Sequence, residues 1–285
     1  MTPLRQQMID AMQQRGFSTR THTSYLAAVQ DLAKYFHKSP DQLQQVQLQD
    51  YFGYLVKERH LSAASCKLYL NGIRFLYLQV LKWNAFDVPI QIPKRPQKIP
   101  ELLTRQEVRQ IIEACDNAKH RTMLLTCYGC GLRVSELVTL KVRHIDGERQ
   151  LLRVEQGKGA KDRAVVLSPL LLEQLRRYWL SYRPKEWLFP NSNTPTLPLS
   201  ISTAQKVFTR AKNKASIQKI GGIHSLRHAY ATHQLERGVP VYTLQRQLGH
   251  ADIHSTMHYV HWVALRHGES AAVADLVGAL EVAHE

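Results

Sequence analysis

Apolar residues in the first 87 positions recur at intervals of three and four, which places them on one face of an α-helix. Ser18 or Thr19, and later Ser62, are suitable N-caps, because their side-chain oxygens can accept hydrogen bonds from free amides of a first helical turn. The pattern predicts a small helical bundle over residues 1–87. Its four apolar stripes are Leu4, Met8 and Met12; Tyr25, Val29, Leu32 and Phe36; Val46, Phe52, Leu55 and Val56; and Tyr69, Ile73, Leu76 and Val80.

A proline-rich stretch follows this bundle. Residues 88–100 read VPIQIPKRPQKIP, and the four prolines remove backbone donors and favour an extended, semi-rigid chain. Lys94, Arg95 and Lys98 also make the stretch basic. We predict a basic linker between two domains over residues 88–103, with a plain spacer as the alternative.

The chain beyond the linker is predicted to be mainly helical, with a short β-hairpin. Thr104 and Glu107 have the spacing of a capping box, and Ser168-Pro169 has the composition of a helix start. Two strands are predicted at 151–154 and 164–167, because β-prone residues flank a glycine-containing turn. Further helices are predicted at 104–116, 119–128, 202–215, 224–237 and 240–248. These elements form a second domain over 104–270, with a tail helix in 271–285.

Charge adds information that the apolar pattern lacks. The chain carries a net charge of +15, although its 44% hydrophobic and 21% charged residues are ordinary for a globular protein. Such a surplus of Lys and Arg favours a polyanionic partner, nucleic acid above all, with a solvated basic surface as the alternative. Neither an apolar run of membrane-spanning length nor a signal peptide is visible, so we expect a cytoplasmic, nucleoid-associated protein.

The spacing of the four cysteines does not indicate a disulfide framework. Cys127 and Cys130 have C-x-x-C spacing, whereas Cys66 and Cys115 stand alone. A zinc or redox site is one interpretation of the pair. We favour small buried residues near a helix end, because the pair runs directly into a Gly-Leu-Arg sequence.

Most of the candidate catalytic residues lie between positions 224 and 259. His224 and Arg227 stand three apart in a helical pattern and can share a face, His250 follows a glycine, and Tyr259 comes nine residues later. These residue types suit a site that holds a phosphodiester while a phenolic oxygen attacks it. Arg133 is the candidate for a second arginine that binds the phosphate. Two planar, permanently charged guanidinium groups can supply the positive charge that a metal ion would otherwise bring.

Four motifs in order resemble the tyrosine recombinases (phage integrases). H-x-L-R-H at 224–228, L-G-H at 248–250 and the tyrosine at 259 are similar to the C-terminal signature of the family. C-G-L-R-V-S-E-L around Arg133 resembles its first-arginine box, and G-K-G-A-K-D-R at 157–163 its lysine hairpin. The resemblance implies an N-terminal helical, SAM-like core-binding domain and a mainly helical catalytic domain with a small antiparallel β-sheet. That fold is shared with type IB topoisomerases.

The resemblance also implies catalytic roles. Tyr259 is the expected nucleophile, Arg133 and Arg227 clamp the phosphate, and Lys158 is the general acid, a role that Lys161 could take instead. His224 accepts the tyrosine proton or donates to a phosphate oxygen, and His250 binds a non-bridging oxygen. Glu136 is expected to orient the catalytic groups, with a buried cap or ion pair as the alternative.

We expect neither a metal nor any other cofactor. His224 and His228, like His254 and His258, have the i,i+4 spacing of helical metal ligands, but few acidic partners and no cysteine accompany them. Candidate DNA contacts are the basic residues Arg20, Lys67, Arg74, Lys94, Arg95, Lys98, Lys161 and Arg163.

The resemblance predicts a site-specific recombinase that cuts and rejoins DNA through a 3′-phosphotyrosyl intermediate and a Holliday junction, for integration or transposition of a mobile element. The expected partners are double-stranded DNA with specific sites, three further copies of this chain that exchange their tail helices, and accessory DNA-bending proteins. A DNA-relaxing enzyme like a type IB topoisomerase is one alternative. A non-catalytic DNA-binding regulator on the same fold is the other.

Overall fold

The computed structural model describes residues 2–89, 101–155 and 162–267. Two compact units divide the chain, Met1–Lys98 and Ile99–Glu285. Several predicted features lie outside the described residues: most of the linker with Lys94, Arg95 and Lys98, the hairpin turn with Lys158 and Lys161, and the tail helix.

The N-terminal unit is a helical bundle, as its apolar stripes predict. Its helices are α1 (Pro3–Gln14), α2 (Thr19–Phe36), α3 (Gln45–Lys57) and α4 (Ala63–Phe75), with a 3₁₀ turn at Pro40–Gln42 and a π-helical extension of α4 at Leu76–Val80. Ser18 and Ser62 accept hydrogen bonds from the backbone N–H groups of Thr21 and Ser65, so both predicted N-caps are confirmed.

All four stripes contribute side chains to the core of this unit, but one residue of the third stripe does not. Met8, Met12, Leu32 and Ile73 are almost completely buried. Val46 is 68% exposed, and its assignment to the third stripe is wrong. The buried face of α3 is shifted from the predicted stripe. Phe52 and Leu55 are buried as predicted, and Leu48 and Tyr51 complete this face.

The C-terminal unit packs helices around a small sheet. Thr104 and Glu107 form the predicted capping box, and Ser168 caps a helix that has Pro169 in its first turn. The elements are α5 (Arg105–Glu113), α6 (Ala118–Gly129), α7 (Val134–Val138), β1 (Ile145–Asp146), β2 (Leu151–Val154), β3 (Arg163–Val166), α8 (Pro169–Tyr182), α9 (Ile201–Lys214), α10 (His224–Leu235), α11 (Val241–Leu248) and α12 (His254–His267).

The three described strands form one antiparallel sheet in the order β1-β2-β3. In the predicted hairpin, Leu151 pairs with Val166 and Val154 with Arg163. Leu152 and Val165 are completely buried against the helices. Strand β1 and helices α7 and α12 were not predicted, because two- and five-residue elements show no period and α12 lacks a clear apolar stripe.

Helices α10, α11 and α12 enclose a second, smaller apolar cluster. Its buried members are Tyr230, Ala231, Leu244, Leu248 and Tyr259, and Trp262 packs against them. This packing determines where the aromatic ring of Tyr259 lies. Among the described residues, no helix is long and apolar enough to cross a membrane.

Candidate active site

Helix α10 brings Arg227 into the interior of the C-terminal unit. Its side chain is 1% exposed, and its guanidinium donates to the carbonyl oxygens of Gly131 (2.7 Å) and Leu248 (2.7 Å). A glycine is required at 131, because φ is +58° there and a Cβ atom would lie 2.4 Å from the ring of Tyr230. Arg227 is therefore held rigidly by backbone groups from two other segments.

A buried carboxylate joins Arg227 to two further arginines. Glu136, whose side chain is 4% exposed, accepts hydrogen bonds from Nη1 of Arg133 (2.7 Å) and from both terminal nitrogens of Arg163 (2.8 Å each). Nη1 of Arg227 lies 3.9 Å from its Oε2. Arg133, Glu136, Arg163 and Arg227 form what we call the arginine–glutamate cluster.

The cluster holds Glu136 in its charged form. Burial alone would raise the pKa of Glu136, but hydrogen bonds and charge from Arg163, together with the backbone and side chain of Arg133, lower this pKa to about 2. One negative charge thus offsets part of the repulsion among three guanidiniums. The remaining surplus of positive charge suits a phosphate.

Arg163 has a position that differs from the predicted one. An exposed DNA contact was expected, whereas its side chain is only 10% exposed and donates to Glu136 and to the carbonyl oxygen of Gln247 (2.9 Å). Gly249, with φ at +63°, packs against it so closely that a Cβ atom would lie 2.8 Å from Cδ of Arg163. The guanidinium joins β3 to the turn before His250, and each of its three nitrogens already donates to a protein acceptor there.

His250 lies between Arg227 and α12. Nη2 of Arg227 is 3.0 Å from Nε2 of His250, and Nδ1 of His250 is 2.8 Å from Oγ1 of the buried Thr256. Because a guanidinium has only donors, Nε2 accepts and Nδ1 carries the proton. Arg133 also donates to the carbonyl oxygen of Gly249 (3.2 Å), so both guanidiniums contact the turn that carries this histidine.

Tyr259 faces His250 from helix α12. Its side chain is buried, and its ring is parallel to that of His250, with 6.2 Å between the ring centroids. Burial raises the pKa of Tyr259, while the charges of Arg227 and Arg133 act in the opposite direction. The phenol is therefore protonated near neutral pH and needs a proton acceptor before it can act as a nucleophile.

The hydroxyl of Tyr259 contacts His228, which was predicted only as half of a metal-ligand pair. Nδ1 of His228 lies 3.1 Å from Oη of Tyr259. His224 was predicted either to accept the tyrosine proton or to donate to a phosphate oxygen, and its ring packs edge-on against His228 with centroids 4.5 Å apart. No hydrogen bond joins His224 to Tyr259 in the part of the chain that the structure describes. The signal for His228 was its place in H-x-L-R-H, one residue after Arg227.

The histidines of the site are poor bases in the free protein. Burial, followed by the charges of neighbouring residues, lowers the pKa of both His228 and His250 to about 4. Partial burial and then Arg227 and Arg133 also lower the pKa of His224. All three imidazoles are therefore neutral at pH 7 in the absence of DNA.

This arrangement predicts sensitivity to mild acid. The unfolded chain takes up a proton at each of His228 and His250 below pH 6.5, whereas the folded chain does so only near pH 4. Stability is thus complete above pH 6.5 and falls as the pH drops from 6.5 to 4. We expect urea unfolding to show a lower free energy of unfolding at pH 5 than at pH 7.5, and a smaller loss in His228→Asn. Equal stability at the two pH values would contradict this prediction.

The other predicted residues divide into two groups. Arg20, Lys67 and Arg74 lie on α2 and α4 with exposed side chains, as a DNA contact requires. Lys94, Arg95, Lys98, Lys158 and Lys161 lie outside the described residues. Within the described ranges, no group of three or more His, Cys, Asp and Glu side chains could hold a metal ion. Cys127 and Cys130 are buried at the end of α6, as predicted.

The chain is similar in sequence to known protein families and to individual proteins. The model of the phage integrase family matches residues 101–265, and that of the phage integrase N-terminal SAM-like domain matches residues 4–85. The chain is 43% identical over 262 residues to "Putative integrase/recombinase y4qK" of Sinorhizobium fredii, covering 91% of this chain and 84% of that protein. It is 33% identical over 268 residues to the tyrosine recombinase XerD of Staphylococcus aureus, covering 87% and 90%.

Solved structures give the same result for the fold. The XerH site-specific recombinase bound to a palindromic difH substrate superposes with a TM-score of 0.73 at 22% identity, covering 92% of this chain and 82% of that one. The Tn1549 transposon integrase gives a TM-score of 0.70 at 17% identity, covering 91% and 95%. The predicted fold class, a SAM-like helical domain followed by a mainly helical domain with a small antiparallel sheet, is confirmed.

Proposed function

This chain belongs to the phage integrase family of tyrosine recombinases, enzymes that transfer DNA strands in site-specific recombination, and we propose that it does so through a covalent bond between Tyr259 and a 3′ DNA phosphate. One observation carries the proposal. Tyr259 and Arg227, which lie on different helices, both contact His250, and Arg133 donates to the residue before it. A nucleophile and two permanent positive charges thus meet in one place.

The two guanidiniums supply what phosphodiester cleavage needs most. Negative charge grows on the phosphate oxygens as the fifth bond to phosphorus forms, and fixed donors stabilise it without reorganisation. Each of Arg133 and Arg227 would contribute ~3 kcal/mol, the order of a single oxyanion-hole donor. With this charge in place, the reaction would proceed without a metal.

The strand is cut and resealed by the same chemistry in opposite directions. Oη of Tyr259 forms a bond to phosphorus, the bond from phosphorus to the 5′ oxygen breaks, and Lys158 gives that oxygen a proton. The 3′-phosphotyrosyl bond retains the energy of the broken one. A 5′ hydroxyl of the partner strand can therefore attack it and release Tyr259.

The remaining histidines would bind the phosphate. His224 is one of the more exposed members of the site and is free to donate to a phosphate oxygen. His250 can do so only after a change, because its Nε2 accepts from Arg227 in the free protein. Once a phosphate accepts from Arg227, the tautomer with its proton on Nε2, in which the hydroxyl of Thr256 donates to Nδ1, would let His250 donate to a phosphate oxygen.

The N-terminal unit would grip the DNA. Arg20, Lys67 and Arg74 are exposed cations, and the linker residues Lys94, Arg95 and Lys98, together with Lys161, would add further phosphate contacts. XerH was solved with difH DNA before and after cleavage, which supports duplex DNA as the substrate. By the same family analogy, four copies would assemble on two sites, exchange tail helices and pass through a Holliday junction.

The biological role that fits best is integration or transposition of a mobile element, with help from DNA-bending proteins. The support is the similarity to an integrase/recombinase of Sinorhizobium fredii over most of both chains. Recombination is preferred to DNA relaxation on the same grounds. Recombination needs two copies of the target site, whereas relaxation needs none, so an experiment can distinguish the two activities.

A plasmid assay tests the proposal. Target duplexes are first selected from a random library by their SDS-resistant attachment to the wild-type protein, and are then cloned as one or two copies. We expect two copies in direct repeat to give two smaller circles, and one copy to give none. Equal relaxation of supercoils with two, one or no copies would instead identify a topoisomerase. If the library gives no SDS-resistant product, but a separate selection by binding alone recovers specific duplexes, the protein would instead be a regulator.

A further inference from the structure

His228 is a polar group in direct contact with the reacting atom. Its Nδ1 lies 3.1 Å from Oη of Tyr259, and its ring packs edge-on against Trp262 with centroids 5.5 Å apart. The hydroxyl of a protonated tyrosine donates, so Nδ1 is the acceptor and Nε2 carries the imidazole proton. The phenolic proton therefore already points at a vacant lone pair.

Other groups near Tyr259 cannot accept this proton. Arg133 and Arg227 have only donors. The Nε2 lone pair of His250 accepts from Arg227, and its Nδ1 bears a proton directed at Thr256. Both oxygens of Glu136 accept from arginines. In the described ranges, the acceptor aligned with Oη of Tyr259 is His228.

We propose that His228 is the general base for Tyr259. As the bond from Oη to phosphorus forms and the bond to the 5′ oxygen breaks, the phenolic proton passes to Nδ1 of His228, and it returns to Oη when the strand is resealed. This role rests on the proposed strand-transfer function, and it leaves His224 free for the phosphate.

The charges around His228 couple this step to DNA. His224 and Arg227 face it from its own helix, His250 faces it from the turn before α12, and Tyr259 faces it from α12. Burial, and then the neighbouring His224 and Arg227, disfavour the imidazolium in the free protein. A phosphodiester on Arg227 adds the negative charge that stabilises the imidazolium, so Tyr259 becomes a nucleophile only when DNA occupies the site.

The test compares His228→Asn with the wild type. An asparagine oxygen can accept a hydrogen bond near the position of Nδ1 but takes up no proton at neutral pH. In single-turnover reactions with a saturating concentration of the selected duplex, we expect the rate of adduct formation to fall ~10²–10⁴-fold. The DNA concentration that gives half the maximal rate should stay within threefold. The wild-type rate should rise with pH to a plateau, and the plateau should disappear in the variant.

His233→Asn is the matched control. Its Nδ1 lies 3.0 Å from the hydroxyl of Tyr128, so it repeats the tyrosine–histidine contact on the same helix and outside the site. We expect its rate per folded molecule, measured with thermal unfolding as a check, to stay within threefold of wild type. Wild-type activity in His228→Asn, with the plateau retained, would overturn the role of His228 alone. A wild-type protein that forms no adduct with any duplex would overturn the proposed function together with this role.

Discussion

Tyr259→Phe will bind selected DNA as tightly as the wild type and will form no covalent adduct with it. The substitution removes the oxygen that we propose attacks phosphorus, and it keeps the ring that packs against His250 and Trp262. Because no other hydroxyl takes its place, we expect cleavage to fall by at least ~10⁴-fold, toward the uncatalysed rate. SDS gels report the adduct, and fluorescence anisotropy of a labelled duplex reports binding.

The chain offers a matched control for this variant. Tyr128 also directs its hydroxyl at a histidine of α10, so Tyr128→Phe removes an equivalent oxygen and one hydrogen bond. Both variants should lose ~1 kcal/mol of stability, the usual contribution of one hydrogen bond. Only Tyr259→Phe should lose cleavage. An undiminished adduct in that variant would show that the nucleophile lies elsewhere.

Glu136→Gln will destabilise the C-terminal unit and disorganise the site. The carboxylate accepts hydrogen bonds from Arg133 and from Arg163, and it is the acid that compensates three buried or half-buried guanidiniums. Removal of one partner from such a buried set costs ~3–5 kcal/mol, because the remaining charges stay desolvated and unpaired. We expect the unfolding temperature to fall by roughly 10 °C.

The same variant separates binding from catalysis. Loss of a negative charge leaves the site more positive, so DNA affinity should be kept or should rise. The rate of cleavage should still fall ~10²-fold or more, because Arg133 loses the group that orients it. Glu113→Gln in the exposed Arg109–Glu113 pair is the control, and we expect it to leave the unfolding temperature and the rate of cleavage unchanged. Wild-type stability and cleavage in Glu136→Gln would refute the orienting role.

The sequence was informative where the physical cause is local. Helices were predicted well when one face carried a long apolar stripe and a serine or threonine could cap the first turn, as at Ser62 and Thr104. The pairing of Arg133 with Glu136 is also local, since the two stand three residues apart and close a capping box on α7. Short or polar elements such as β1 and α12 lack this repetition.

The partners within the site could not be predicted in the same way. Arg227 bonds to the carbonyl of a residue 96 positions away, and Arg133 to one 116 positions away. Periodicity describes one face of one helix and contains no information about which helix packs against it. For the same reason Arg163 was assigned to DNA, although β3 directs it at Glu136.

The amino-acid sequence identifies the reactive groups: two permanent cations, titratable imidazoles, a phenol and a basic chain, arranged in motifs that resemble those of strand-transferring enzymes. It does not show which histidine contacts the hydroxyl of Tyr259, because that contact depends on how the helices pack. His224 and His228 are one turn apart on the same helix, and their order in the chain does not distinguish them. The packing of α12 against α10 does, because it brings the Oη atom to 3.1 Å from one imidazole nitrogen, that of His228.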